Sequence, residues 1–204
     1  MARTVEDIMQ NAVSVYLGFP LLVNFGTSAN NYTDADEVGK VIRRAWGDVK
    51  EKALRMYPWS FCREDGKITG IRAVNPSYEH FTHYATIPFE KYVCMQAVFY
   101  DPKHLAKCFD WRQFGTTTIK FNLPEIYVEY TIDIDPQYYP AYFVDYLSCA
   151  LAVECCAPLR LESKLPILLQ QLQATFLDAR KQDSMNEPAP ASFDNIIDEA
   201  RNAL

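Results

Sequence analysis

Three small groups of residues in this 204-residue chain have side chains that could carry out chemistry. Glu79, His80 and His83 could supply metal ligands, but a His-x-x-His pair without an obvious further ligand is a weak zinc signal. Cys155 and Cys156 could supply a thiolate nucleophile. They fall in an apolar helical pattern, where burial raises the pKa of a thiol and suppresses its reactivity. Both groups therefore favour structural roles.

The third group is the carboxylate pair Asp133 and Asp135, which share one face of a predicted strand. Acid–base catalysis favours carboxyl groups with shifted pKa values in a partly apolar pocket, whereas this pair adjoins other polar residues. The chain also has only seven glycines, no Gly-rich phosphate-binding loop and no Gly-x-Ser-x-Gly motif. We therefore expect no catalytic, cofactor-binding or metal-binding residues, and we predict that the protein is not an enzyme.

The composition is typical of a globular chain that makes extensive contacts. Hydrophobic residues make up 49% of the sequence and aromatic residues 14%, which suits both a substantial core and protein interfaces. The net charge is −6, and Lys and Arg form no block, so we expect no surface that grips nucleic-acid phosphates. An acidic balance does suit a channel through which DNA slides.

The sequence predicts no membrane segment and no secretion signal. No apolar run is long enough to cross a bilayer, and residues 1–7 lead into a charged helix start that is unlike a signal peptide. The six cysteines fit neither a zinc motif nor a small disulfide framework. We expect reduced, mostly buried thiols in a protein made in a cytosol.

Two helices are predicted at the N-terminal end. Thr4 and Asp7 form a capping-box pattern at the start of the first helix. The second helix is long and amphipathic, with apolar residues at steps of three or four: Ala35, Val38, Ile42, Ala45, Trp46, Val49, Ala53 and Met56. Pro58 ends this helix. Trp59 and Phe61 are predicted to lie in extended chain, to point the same way and to plug the end of a helical bundle.

The middle of the chain has the pattern of antiparallel β-structure. A turn is predicted at residues 64–67 and a strand at 67–74, with further strands at 84–88 and 92–100. Residues 125–135 alternate between apolar and polar side chains, which predicts a sheet with one packed face and one acidic face. The acidic face is either simply solvated or borders a passage for DNA.

Helices return after the β region, so the expected fold class is α+β. A third helix is apolar nearly all round, a fourth has leucines at helical spacing, and a last short helix follows a Pro-containing linker. We predict a helical bundle from residues 1–61 and 136–182, an inserted antiparallel β-rich region at 62–135, and a linker with a C-terminal arm at 183–204. The arm either becomes ordered on docking to a partner or packs on its own bundle.

With this order of elements, the chain resembles the tail tubular protein A family of short-tailed bacteriophages, which are head-to-tail adaptor, connector or gatekeeper proteins. The most specific similarity is the long second helix that runs into Pro58-Trp59-Ser60-Phe61. Further similar stretches are residues 11–21, 84–88, 126–130, 146–152 and 195–201. Cys62 departs from the alanine expected at that position, and residues 103–115 match poorly.

The resemblance implies a structural virion protein, made in the host cytoplasm and located in the tail or neck of the virion. It implies a dodecameric ring of copies of this chain that docks beneath the portal protein. The β part of each copy would face the tail nozzle, which is tail tubular protein B, and often the tail fibres. Double-stranded DNA would pass through the ring, as part of the ejection channel, without specific binding. No membrane partner is expected.

Two other functions stay open at this stage. One is another phage neck protein, such as a stopper or a tail-completion protein of different symmetry. The other is a small-ligand enzyme that uses the strand carboxylates.

Overall fold

The computed structural model describes residues 4–19, 23–26, 35–73, 80–104 and 106–186. This part of the chain contains four α-helices and two antiparallel sheets, which confirms the predicted α+β fold class. The helices are α1 (Val5–Asn11), α2 (Glu37–Arg55), α3 (Ala141–Cys156) and α4 (Leu165–Asn186). Shorter helical pieces are a π-helical continuation of α1 (Ala12–Leu17) and 3-10 turns at Ser60–Cys62, Pro136–Tyr138 and Glu162–Lys164.

The start of α1 has the predicted capping box. The Thr4 hydroxyl accepts a hydrogen bond from the Asp7 N–H at 3.1 Å, and the Asp7 carboxylate accepts one from the Thr4 N–H at 2.8 Å. The two residues thereby satisfy each other's backbone donors at a helix end that has no intrahelical acceptors for them. The π-helical continuation ends at Gly18, whose φ of 73° lies in the left-handed region that glycine adopts without strain.

Helix α2 buries one face, as its periodicity predicts. Ile42, Val49 and Ala53 are almost fully buried. The predicted stripe extended one position too far, because Met56 lies just after the last helical residue and is 60% exposed.

Trp59 closes the end of the helical bundle. Its side chain is fully buried, and its indole Nε1–H donates a hydrogen bond to the Ala53 carbonyl oxygen at 2.9 Å. The rings of Trp59 and Phe61 lie 5.1 Å and 4.8 Å from that of Phe143, centroid to centroid. The predicted plug is therefore present, but the prediction of extended chain is wrong, because Ser60–Cys62 form a 3-10 turn.

Helix α3 is the centre of the helical core and packs against α1, α2 and α4. Its surface is apolar nearly all round, as predicted, and most of its side chains are buried. The buried Ser148 has partners on α1. Its hydroxyl donates to the Ile8 carbonyl oxygen and accepts from the Asn11 amide, both at 3.2 Å. A buried polar group that is fully hydrogen-bonded in this way costs little stability and fixes how the helices align.

The two sheets have the strand orders β1-β8-β4-β5 and β2-β3-β7-β6. The strands are β1 (Arg63–Lys67), β2 (Arg72–Ala73), β3 (His83–Thr86), β4 (Tyr92–Phe99), β5 (Lys107–Cys108), β6 (Trp111–Phe114), β7 (Thr118–Phe121) and β8 (Tyr127–Ile132). Both sheets contribute to a second apolar core, with Ile119 and Phe121 from one sheet and Val98 and Val128 from the other.

The predicted turn at residues 64–67 is wrong, since these residues lie in β1 and pair with β8. Position 66 of this strand requires glycine because two aromatic rings lie close over its backbone. A Cβ at Gly66 would come within 2.7 Å of Phe89 and 3.1 Å of Tyr130, whose rings are stacked 3.9 Å apart. A glycine within a strand here marks a close approach rather than a turn. Of the strand predicted at residues 67–74, the structure describes 67–73, and within this range Arg72–Ala73 and the last residue of β1 are in strands.

The described residues form two apolar cores, one helical and one between the sheets. Val93 of β4 belongs to the helical core, so the β-region is joined to the bundle by packing as well as by the chain. The proposed division into a bundle and an insert stays a prediction. Its last boundary is displaced, because α4 continues to Asn186 rather than stopping at residue 182. The predicted arm beyond α4, residues 187–204, lies outside the described residues.

Asp183 explains why α4 continues past the predicted end. Its carboxylate is fully buried. It accepts hydrogen bonds from the Ser60 N–H at 2.9 Å, the Ser60 hydroxyl at 2.8 Å and the Tyr142 hydroxyl at 2.7 Å. The carboxylate thereby joins α4 to the 3-10 turn after Trp59 and to α3. Burial, followed by the hydrogen bond to Asp183, raises the pKa of Tyr142 to about 12, so the phenol stays a donor at neutral pH.

We expect the substitution Asp183→Ala to lower the free energy of unfolding by about 3 kcal/mol, because it leaves the donors of Ser60 and Tyr142 without their acceptor. Urea denaturation followed by tryptophan fluorescence measures this change. Asp178→Ala is the matched control on the same helix, since Asp178 is exposed and bonds only Gln182 among the described contacts. Equal denaturation midpoints for the two variants would contradict the role of Asp183.

Candidate functional site

The histidines of the His-x-x-His pattern do not form a metal site with each other. His80 is 77% exposed, and its Nε2 lies 3.4 Å from Asp110 Oδ1. His83 lies at the start of β3, where its ring stacks on Phe121 and its Nδ1 is 2.8 Å from the Thr82 hydroxyl. The third candidate ligand, Glu79, is outside the described residues. No third ligand from the described part of the chain joins either histidine.

The thiols of Cys155 and Cys156 are buried against the helical core. Burial raises the pKa of Cys155 to about 12, with smaller contributions from Glu154 and Cys156. Burial also raises the pKa of Cys156, whose thiol contacts the Leu161 carbonyl oxygen at 3.5 Å. A thiol with a raised pKa is protonated at neutral pH and is a poor nucleophile, so this pair has the properties of core residues.

The two aspartates of the third group have separate structural contacts. Asp133 Oδ2 forms an ion pair with Lys50 Nζ of α2 at 2.5 Å. Asp135 accepts a hydrogen bond from the Gln137 N–H at 3.1 Å and so caps the 3-10 turn before α3. Both lie after the end of β8, so the observed strand is shorter than the strand predicted at residues 125–135.

The acidic face predicted for residues 125–135 is matched by cations. Glu125 pairs with Lys67, Glu129 lies 3.4 Å from Arg63, and Asp133 pairs with Lys50. Thr131 on the same face is fully buried and accepts a hydrogen bond from the Gln96 amide at 2.9 Å. This face therefore differs from the prediction of an open acidic surface, because β1 and α2 bring basic side chains onto it.

A cleft of about 700 Å³ separates α2 from the β-region. Residues that line it include Lys50, Glu51, Arg55, Phe89, Tyr92 and Asp133. Burial raises the pKa of Tyr92 to about 12, and its hydroxyl donates to Gln113 at 2.8 Å. Cations and carboxylates are mixed along the walls, and the charged groups of the Lys50–Asp133 pair are bonded to each other. The described residues along the cleft therefore do not form a cluster of a single charge sign.

Apolar side chains are exposed on both halves of the molecule. Those in helices are Val15, Ile167, Leu169, Leu177 and Met185, and Met56 directly follows α2. Those on or near the strands are Tyr100, Phe109 and Phe114, and Tyr138 lies in the 3-10 turn before α3. Four of the ten are on α4, which also buries Leu168 and Ala179 on its inner side. A helix that carries apolar residues on opposite sides is suited to packing between two partners.

One cluster of possible ligands was not anticipated from the sequence. Asp65, His104 and Glu129 each present a ligand atom within 4.8 Å of the other two. They come from β1, from the loop after β4 and from β8, and they are far apart in the chain. No local spacing signals their proximity, which results from strand pairing.

No family model matches this sequence, and no curated protein sequence is significantly similar to it. Among the residues that the structure describes, none of the helices combines the length and apolarity needed to span a bilayer.

We expect iodoacetamide at pH 8 to leave Cys62, Cys149 and Cys155 unmodified in the folded protein, because they are buried and their pKa values are raised to about 12, 11 and 12. Half-buried Cys94 should react first. Mass spectrometry of tryptic peptides measures each site, with the denatured chain as the control in which every thiol reacts. Alkylation of Cys155 as fast as Cys94 in the folded state would contradict its structural role.

Proposed function

We propose that the protein is a structural virion component, a head-to-tail adaptor that joins the portal protein to the tail nozzle and forms part of the DNA ejection channel. It works without enzymatic activity, is made in the host cytoplasm and is located in the tail or neck of the virion. The observation that carries the proposal is the set of exposed apolar side chains along α4, which adds to the resemblance of the sequence to the tail tubular protein A family.

The outer side of α4 supports a contact between subunits. Ile167, Leu177 and Met185 are 62%, 54% and 69% exposed. Ile167 and Met185 are about five helical turns apart and so lie on the same line along the helix, with exposed Ala174 between them. Packing this side against a neighbouring copy would bury apolar surface that a single subunit leaves in water.

The central position of α3 supports a ring built from the outer helices. Because α3 is enclosed by α1, α2 and α4, contacts with other subunits use those three helices. A contact between different surfaces of successive copies is heterologous and closes into a ring when the rotation permits. We propose such a ring, dodecameric as in the family that the chain resembles. It would contact the portal protein, the nozzle protein and, as is frequent in that family, the tail fibres.

The charge distribution is compatible with DNA passing without being held. The chain has a net charge of −6, and the lysines and arginine near β8 are paired with carboxylates. Duplex DNA would therefore meet few free cations on this face, and its phosphates would be attracted weakly.

A phage stopper or tail-completion protein is the second candidate, because the same exposed apolar surfaces would serve a ring of different symmetry. The enzyme hypothesis has less support. The carboxylates on which it depended, Asp133 and Asp135, have separate structural contacts with Lys50 and with the backbone of Gln137.

We expect the purified protein, mixed with the portal protein encoded by the same genome, to form portal-bound rings. Negative-stain microscopy with rotational averaging would count twelve copies if the symmetry follows the family. Leu177→Glu should prevent ring formation at unchanged melting temperature, since the side chain is already exposed in the single subunit.

Thr69→Glu is the control, because it adds the same charge at an exposed position between β1 and β2. The proposal fails if the protein stays monomeric and separate from the portal at micromolar concentration. A ring of another symmetry would instead favour the stopper or tail-completion function.

A further inference from the structure

We propose that Asp65, His104 and Glu129 bind one divalent transition-metal ion, with Zn²⁺ as the ion that suits them best. The three side chains meet on the face of the first sheet that points away from the core between the sheets. One imidazole nitrogen and two carboxylates are a ligand set that zinc accepts in proteins. With neutral His104, the two carboxylates balance the charge of the ion.

The two carboxylates already lie where a cation is required. Asp65 of β1 and Glu129 of β8 are direct cross-strand partners in the antiparallel register. Like charges that face each other across a strand pair destabilise the sheet. Ala97 of β4, the residue across from Glu129 on the other side, has a small side chain and carries no charge. A cation between Asp65 and Glu129 would convert the repulsion into a bridge between the strands.

His104 is held beside these carboxylates by contacts that do not involve them. Its ring stacks on Phe99 with a centroid distance of 4.1 Å and an angle of 4°. The preceding loop is fixed by Asp101, whose carboxylate accepts from the N–H groups of Lys103 and Ala106 at 2.9 Å and 3.0 Å. The imidazole therefore needs little reorganisation to serve as a ligand.

The separation between His104 and Asp65 fits two ligands of one ion better than a hydrogen bond. His104 Nδ1 and Asp65 Oδ1 are 3.6 Å apart, which is longer than a hydrogen bond of this type. Two ligands on a tetrahedral zinc ion are about 3.3 Å apart, given bond lengths near 2.0 Å. The three ligand atoms all lie within 4.8 Å of one another, so modest side-chain adjustment would bring them to the ligand separations of one ion.

Arg63 would lie beside the bound ion and would not compete with it for Glu129. Its Nη1 is 3.4 Å from Glu129 Oε1, longer than a strong charge-assisted hydrogen bond. A carboxylate that binds a metal through one oxygen commonly accepts a contact from a second residue through the rest of the group. The side chains of His104 and Glu129 are about one-fifth exposed, whereas that of Asp65 is 68% exposed and leaves a path for the ion to enter.

Isothermal titration calorimetry of the chelator-treated, reduced full-length protein with ZnCl₂ tests the proposal. We expect one equivalent of Zn²⁺ to bind, with a higher affinity than Mg²⁺ because magnesium disfavours imidazole. In a thermal melt, Zn²⁺ at a hundredfold excess over Kd should raise the melting temperature by about 5 °C. His104→Asn and Glu129→Gln should each weaken binding by about tenfold or more. Asparagine is chosen because it tolerates the positive φ of 56° at position 104.

His80→Asn is the matched control, because His80 also lies beside one aspartate, Asp110, but has no second carboxylate within reach among the described residues. It should leave the affinity for Zn²⁺ unchanged. Co²⁺ substitution identifies the ligands, since a site of nitrogen and oxygen ligands lacks the intense near-ultraviolet thiolate bands that a cysteine site would show.

Three results would overturn the proposal: no Zn²⁺ binding at millimolar concentration, unchanged affinity in both folded ligand variants, or thiolate bands in the Co²⁺ spectrum. The first result would leave the cluster as the Arg63–Glu129 ion pair with His104 beside Asp65.

Discussion

The buried indole of Trp59 is the contact on which the helical half of the molecule depends. Its ring contacts the rings of Phe143 and Tyr146 on α3 and of Phe176 on α4. Its indole N–H donates to the carbonyl oxygen of Ala53 near the end of α2. One side chain therefore sets the relative positions of α2, α3 and α4. Because Trp59 is placed by Pro58 immediately after α2, the end of that helix and the packing of the bundle are fixed together.

The charged side chains near β8 form pairs of opposite sign and do not cluster around one site. Glu125, Glu129 and Asp133, in and beside β8, each have a cation from β1 or α2 nearby, and the cleft between α2 and the sheets carries both signs of charge. Such pairs on a partly exposed surface add little stability, but they remove the long-range field that would draw in a charged ligand. The exposed apolar side chains on α4, in contrast, are in contact with water in the single subunit.

The parts of the fold that were predicted correctly depend on local sequence. The capping box of Thr4 and Asp7, and the all-round apolar pattern that places α3 at the centre, need only neighbouring residues. The errors arose where distant contacts overrule local preference. Residues 64–67 have turn composition, yet pairing with β8 makes them a strand. Asp183 has linker composition, yet donors 41 and 123 residues away hold it inside the bundle. The Asp65–His104–Glu129 cluster was missed for the same reason.

The position of Asp183 has a mechanical consequence. It lies within one turn of Asn186, where α4 ends, and its hydrogen bonds lead to the turn beside Trp59 and to Tyr142 of α3. A force applied at the C-terminal end of α4 would act on these hydrogen bonds first. The apolar contacts of Leu168 and Leu172, further along the helix, would separate only after them. Tension applied at this end would thus be transmitted to the middle of the bundle instead of fraying α4.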